Sequence, residues 1–134
     1  MKNNKENSLR WQRQAEYDLN QGIKLLADGN FSYASFFAEQ AAQKILKAFL
    51  IFKGRRFITI HSVGELLKEA AALDNKFSPL INKGKKLDRH YLISRYPDAL
   101  PEPAIPAESY TKDEAEEAVE IAKQIFETFR WLPQ

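Results

Sequence analysis

Between Tyr33 and Lys53 the chain sets Ala34, Phe37, Ala38, Ala41, Ala42, Ile45, Ala48, Phe49 and Phe52 at steps dominated by three and four. That spacing lines one face of a helix with 3.6 residues per turn and cannot be laid on one face of a strand, where the step is two. Five of the nine are alanine, and small side chains let neighbouring helices approach closely. The segment is therefore predicted to be a central helix, and the rest of the chain must supply partners to cover it.

Those partners are legible. From Leu9 to Ala27 the stripe Trp11, Ala15, Leu19, Ile23 and Leu26 predicts a helix ended by Asp28-Gly29-Asn30, with Ser32 a candidate cap for the next. Gly54 stops the central helix, Lys53, Arg55 and Arg56 complement its negative end, and Phe57 to Ile60 is a short connector. A third helix opens at Ser62 with Glu65 three residues on as a capping box, and buries Val63, Leu66, Leu67 and Ala70. A fourth runs from about Ser78 to Ser94, with Pro79 in its first turn and Leu80, Ile81, Gly84, Leu87, Tyr91 and Leu92 as its stripe.

Four of the six prolines (Pro97, Pro101, Pro103, Pro106) fall between Arg95 and Ser109, where no helical period survives. This predicts a long extended loop, and loops of that length in small domains carry function or disorder. Thr111 and Glu114 then cap a last helix with the stripe Ala115, Ala118, Val119, Ala122, Ile125, Phe126 and Phe129, ending at Pro133. No stretch repeats at solenoid spacing. The expected fold is all-α: an up-and-down bundle of four to five helices with a long Pro-rich loop before the last. Residues 1–8, polar and without an apolar anchor, are expected to be frayed, and 9–134 to form one helical domain.

Composition limits the chemistry. At 134 residues, 44% hydrophobic and 28% charged, the chain can bury one core. It has no cysteine, which excludes disulfides, thiolate zinc sites, iron–sulfur clusters and a cysteine nucleophile. His61 and His90 are the only histidines and neither has a second at metal-ligand spacing, so no metal site and no cofactor is expected. The longest apolar run, Ala48 to Phe52, is far below a membrane span, and the first residues do not form a secretory signal; a cytoplasmic protein is the expectation.

The net charge of +2 is a sum of unlike parts. Lys44, Lys47, Lys53, Arg55 and Arg56 occupy 44–56 without an acid, and Lys76, Lys83, Lys85, Lys86, Arg89 and Arg95 occupy 76–95 against Asp88 alone. From Asp98 to Glu120 eight acids face only Lys112. If the two basic segments share one side of the bundle they form a footprint for a phosphate backbone or an acidic partner. The competing account is a set of solvated helix faces, neutralised in part by the acidic last helix.

Leu87-Asp88-Arg89-His90-Tyr91-Leu92-Ile93-Ser94-Arg95-Tyr96-Pro97-Asp98 gathers two Arg, two Tyr, two Asp, a His and a Ser at a helix end. Arginine offers a planar fork for phosphate, tyrosine a stacking surface, and Lys85, Lys86 and Arg89 fall near one helical face. Alternatively Arg89 and Arg95 pair with Asp88 or Asp98 while Tyr91 and Tyr96 pack inside. His61, just ahead of the third helix, reads as a capping partner for a free backbone group.

The order Ala15…Asp18, Phe37-Ala38-Glu39-Gln40-Ala41-Ala42-Gln43-Lys44 with Leu46-Lys47-Ala48, His61-Ser62-Val63-Gly64-Glu65-Leu66-Leu67 and Arg95-Tyr96-Pro97-Asp98-Ala99 resembles the HEPN domain family over nearly the whole chain. The resemblance implies a helical bundle, commonly dimeric, found in prokaryotes beside a minimal nucleotidyltransferase in toxin–antitoxin-type pairs. Many members are metal-independent ribonucleases whose motif is Arg, a polar residue, a few positions and then His. Laid on this sequence, the Arg is Arg89, its polar neighbour is His90, and the place of the histidine is held by Ser94, followed by Arg95 and Tyr96. Serine has no pKa near neutrality and needs an activating base. Arg56 to His61 has the bare spacing, but in the connector, the wrong element.

Three readings follow. The first is a homodimeric module that pairs with a minimal nucleotidyltransferase and binds nucleotide or RNA through Lys85, Lys86, Arg89, His90, Ser94, Arg95, Tyr96 and Asp98, with modification of Tyr91 or Tyr96 by the partner a further implication of the family. The second is a metal-independent ribonuclease with Arg89 and His90 as catalytic residues. The third is a purely structural dimerisation domain.

Overall fold

The computed structural model of the chain describes residues 4–130. Helices α1 (Asn4–Ala27) and α2 (Phe31–Phe52) form an antiparallel hairpin. Its turn is closed by Gly29 at φ 82°, with Asn30 N donating to Leu25 O at 2.8 Å and Gly29 N to Leu26 O at 3.1 Å, a left-handed cap that satisfies the last carbonyls of α1. Gly22 lets the two helices meet, since a Cβ there would stand 3.3 Å from the carbonyl oxygen of Ala34. Ser32 is not the cap of α2: the helix begins at Phe31, Asn30 holds the cap position without a side-chain bond, and Ser32 is buried inside the first turn.

The start of α1 departs from expectation. The helix is already formed at Asn4, and Ser8 is wholly buried with its hydroxyl donating to Ala48 O at 2.7 Å. A polar segment lacking an apolar anchor thus carries a buried side-chain bond to α2. The fraying expected of residues 1–3 and the helix end expected at Pro133 lie outside the described residues.

α2 is the central element and packs against α1, α7 and α3. Its alanines at 34, 38, 41, 42 and 48 are fully buried. Phe49 closes the far end against Phe77 and Phe129, with ring centroids at 4.8 and 6.4 Å. α3 (Val63–Leu73) is capped by Ser62, whose Oγ accepts from Glu65 N at 3.2 Å. Glu65 itself pairs with Lys68 at 3.1 Å rather than reaching back, so only half of the expected box forms.

The single helix expected from 78 to 94 is three pieces. A 3-10 helix (Asn75–Leu80) contains Pro79 and is capped by Asp74, then come α4 (Ile81–Asp88) and α5 (His90–Ile93). At Arg89 the backbone stays helical (φ −61°, ψ −26°), so the ladder is interrupted without the chain turning back. Nor is 95–109 uniformly extended. Pro97–Ala99 is a 3-10 turn and α6 (Pro106–Ser109) starts on Pro106, where the missing N–H costs nothing. α7 (Lys112–Arg130) has its capping box in both directions between Thr111 and Glu114 and buries the stripe expected of it. Among the described residues there is no strand, and no helix is long and apolar enough to cross a membrane.

Candidate functional site

The cluster from Lys85 to Asp98 forms the corner where α4 becomes α5, and it separates into an outer and an inner set. On the outside, Arg89 Nη2 donates to Glu114 Oε2 at 2.6 Å, Lys86 Nζ lies 4.0 Å from Glu117, and Lys83 donates to Gln124 at 2.9 Å. The basic side of α4 is therefore laid along the acidic side of α7. Lys85 does not share that face. Its stem lies over Gly64 at the start of α3, where a Cβ would meet Lys85 Cγ at 2.7 Å.

Asp88 is not a partner of either arginine. Its carboxylate accepts from Ser62 Oγ at 2.7 Å, Val63 N at 2.5 Å and Gly64 N at 3.1 Å, and so caps α3 from another helix. Arg95 is held by aromatic rings. Its guanidinium lies 4.2 Å from the centroid of Phe36, 4.9 Å from Tyr96 and 5.2 Å from Tyr91, and donates twice to Tyr91 O. Tyr91 and Tyr96 stay about half exposed rather than packing in the core. Asp98 is exposed on the following turn and forms no ion pair among the described residues.

The inner set, His90 and Ser94, is buried. His90 is 5% exposed, and its Nδ1 lies 2.7 Å from the hydroxyl of Tyr110, the two rings being 5.3 Å apart. Burial, and then the charge of Arg89, push its pKa down to about 4, while burial pushes Tyr110 up to about 12. Ser94 is fully buried and its hydroxyl donates to the carbonyl of His90. Both residues are turned into the fold. Burial thus keeps the His90 ring largely unprotonated near neutral pH, which makes it a poor general acid.

Several participants carry little or no signal in the sequence. Glu39 on α2 is wholly buried, with Gln40 and Gln43 donating to its two oxygens. Burial lifts its pKa to about 7 against those bonds; nearby Asp88 adds to the rise and Arg95 opposes it. Its one trace in the sequence is a set of three polar residues interrupting an alanine-rich stripe. Tyr110 has none, and Glu114, legible as a capping residue, gives no sign of its pairing with Arg89, because their partners are 20 and 25 positions away. His61 does not cap a backbone group; its Nδ1 faces Lys47 Nζ at 3.3 Å. No group of three His, Asp or Glu close enough to hold a metal occurs among the described residues.

Known proteins share this architecture. The HEPN domain family matches residues 8–131. A Methanocaldococcus jannaschii protein named a putative toxin is 30% identical, over 88% of this chain and 82% of its own. The crystal structure of TT1696 from Thermus thermophilus superposes with a TM-score of 0.81 at 32% identity, covering 92% of this chain and 95% of the other. That of ST0689, an archaeal HEPN homologue, gives 0.74 at 32% identity, covering 97% of each chain. With the family's pattern running through all of the long helices and the described fold matching solved homologues end to end, this chain belongs to the HEPN domain family.

Proposed function

We propose that this HEPN protein is the toxin-type member of a two-protein system, a homodimer that pairs in the cytoplasm with a minimal nucleotidyltransferase. The surface set Lys85, Lys86, Arg89, Arg95, Tyr96 and Asp98 takes the partner or a nucleotide, while His90 and Ser94 hold the corner from inside. One observation carries the reading: the motif position that would supply a proton-transfer histidine is Ser94, buried and bonded to the His90 carbonyl, while Arg89 beside it stays on the surface. The name of the Methanocaldococcus relative supports the toxin-type role. Tyr96, half exposed beside Arg95, is accessible to a transferase acting on a tyrosine hydroxyl.

The test is co-expression with a nucleotidyltransferase encoded beside this gene, read by native and intact-protein mass spectrometry. The expected result is a complex containing two HEPN chains, weakened by Arg89→Glu together with Lys86→Glu, and a nucleotidyl mass increase confined to Tyr91 or Tyr96 if modification occurs. No association, or RNA cleavage in EDTA that His90→Ala abolishes, would overturn the proposal in favour of the ribonuclease. The structural-domain reading predicts that neither charge reversal changes anything but stability.

A further inference from the structure

The two basic segments of the sequence end on different surfaces. Those of α4 lie along α7, partly neutralised by its acids. The segment 44–56 instead meets α1, and two adjoining open cavities form there, of about 590 and 620 Å³. Each falls in the size range of small-molecule sites. Arg10 and Trp11 line both; the first continues to Lys47, Arg55, Arg56 and Phe57, the second to Arg13, Tyr17 and Lys44. No carboxylate lines either among the described residues.

Only part of the charge here is used internally. Lys44 is paired with Asp18 at 2.6 Å and Arg55 with Glu69 at 3.0 Å, whereas Arg10, Arg13 and Arg56 form no ion pair among the described residues. Lys47 is 7% exposed and sits 5.7 Å from the centroid of the Trp11 ring, so the indole is braced by a buried cation. Two further aromatic rings stand in water beside these cations. Tyr17 is 61% exposed, and Phe57 is 93% exposed on a backbone at φ 56°, a left-handed conformation that a bulky side chain avoids.

We infer that this α1–α2 groove binds single-stranded nucleic acid, with phosphates on Arg10, Arg13 and Arg56 and bases stacked on Trp11 and its neighbouring rings. An acidic peptide would satisfy the arginines and leave Tyr17 and Phe57 in water; a strand satisfies both, because every base has a face to stack and every link a phosphate. A single nucleotide fills one cavity, whereas Arg10 to Tyr17 alone spans about 10 Å of helix. The site is separate from the Arg89 corner and does not rest on the pairing with a nucleotidyltransferase.

The experiment is fluorescence anisotropy of a labelled oligouridylate titrated with the whole chain over a range of salt. The wild type and the Lys24→Ala control, exposed on α1 outside the groove, should bind alike. Arg10→Ala with Arg56→Ala should weaken binding by about tenfold or more and flatten the log–log salt slope by about 1.4, two phosphate contacts at ~0.7 each. Trp11→Ala should cost about tenfold, and Trp11→Phe should recover most of it. Should Trp11→Ala fail to fold, the arginine pair and the salt slope decide.

No binding at low salt, or an arginine pair that leaves affinity and slope unchanged, overturns the inference. Uridine monophosphate competing as well as the oligomer would reduce the site to a one-nucleotide pocket, and polyglutamate competing as well would make it an acidic-protein seat; either result overturns the strand. Loss of binding in Arg89→Glu with the groove variants intact would place the strand at the α4–α5 corner instead.

Discussion

The side chains of His90 and Tyr110 meet 2.7 Å apart in the interior and tie α5 to the junction between α6 and α7. Tyr110→Phe keeps the ring and removes the hydroxyl, leaving the buried Nδ1 without that partner. The expected cost is about 1–3 kcal/mol. At roughly 3 °C per kcal/mol for a chain of this size, thermal melting should fall by about 3–9 °C. An unchanged melting temperature would show that the imidazole is satisfied some other way.

Two buried titrating groups act on stability in opposite directions. Native His90 stays neutral down to about 4 while the unfolded chain takes that proton near 6.5, so the unfolded state binds more protons in this window and stability falls as pH drops through it. Native Glu39 keeps its proton up to about 7 while the unfolded chain loses it near 4.5, so stability falls as pH rises through that window. Each is worth up to ~3 kcal/mol, and between about 4.5 and 6.5 they largely cancel. Glu39→Gln removes one side of the balance. The stability of the variant minus that of the wild type, from urea melts, should increase by about 2–3 kcal/mol between about pH 4.5 and about pH 7.5. A difference independent of pH would mean that Glu39 titrates normally in the folded chain.

Asp88 gives a prediction that Ser62 alone does not. Asp88→Ala removes acceptors from the first two N–H groups of α3 and from the Ser62 hydroxyl, and should cost about 2 kcal/mol. Asp88→Asn keeps one acceptor oxygen and should lose about half as much. Equal losses in urea unfolding would mean that the carboxylate charge, not its geometry, carries the effect.

The helices are readable in the sequence because their evidence is local: an apolar residue every three or four positions, with Gly29, Gly54 and Thr111 marking ends. The same reading runs α4 and α5 together, since nothing within a few residues of Arg89 reports the interruption. It also leaves Asp88 as a candidate ion-pair partner of Arg89 or Arg95, because its cap on α3 spans 25 positions. At the site, residue types are legible and directions are not. Arg89 and His90 are neighbours in sequence, yet one faces Glu114 at the surface and the other Tyr110 in the interior, and only the packing of α7 and its leading turn against the corner decides which. The basic segments are visible as charge counts, but which of them α7 neutralises depends on tertiary contacts.

Arg89 separates structural from functional effects. Its ion pair with Glu114 is short, but 56% of the arginine side chain is exposed, and pairs in water contribute about 0–1 kcal/mol. Arg89→Ala should therefore lower the melting temperature by no more than about 3 °C. Glu114→Ala removes the same pair together with the reciprocal cap on Thr111, and should cost about 1–2 kcal/mol. If the corner serves partner recognition, Arg89→Ala weakens co-purification with the nucleotidyltransferase despite near-native stability, while Glu114→Ala lowers stability and leaves the arginine free to engage the partner. Parallel losses of stability and association in both variants would mark the pair as part of the scaffold, since a shared loss of the α4–α7 contact is then enough to account for both.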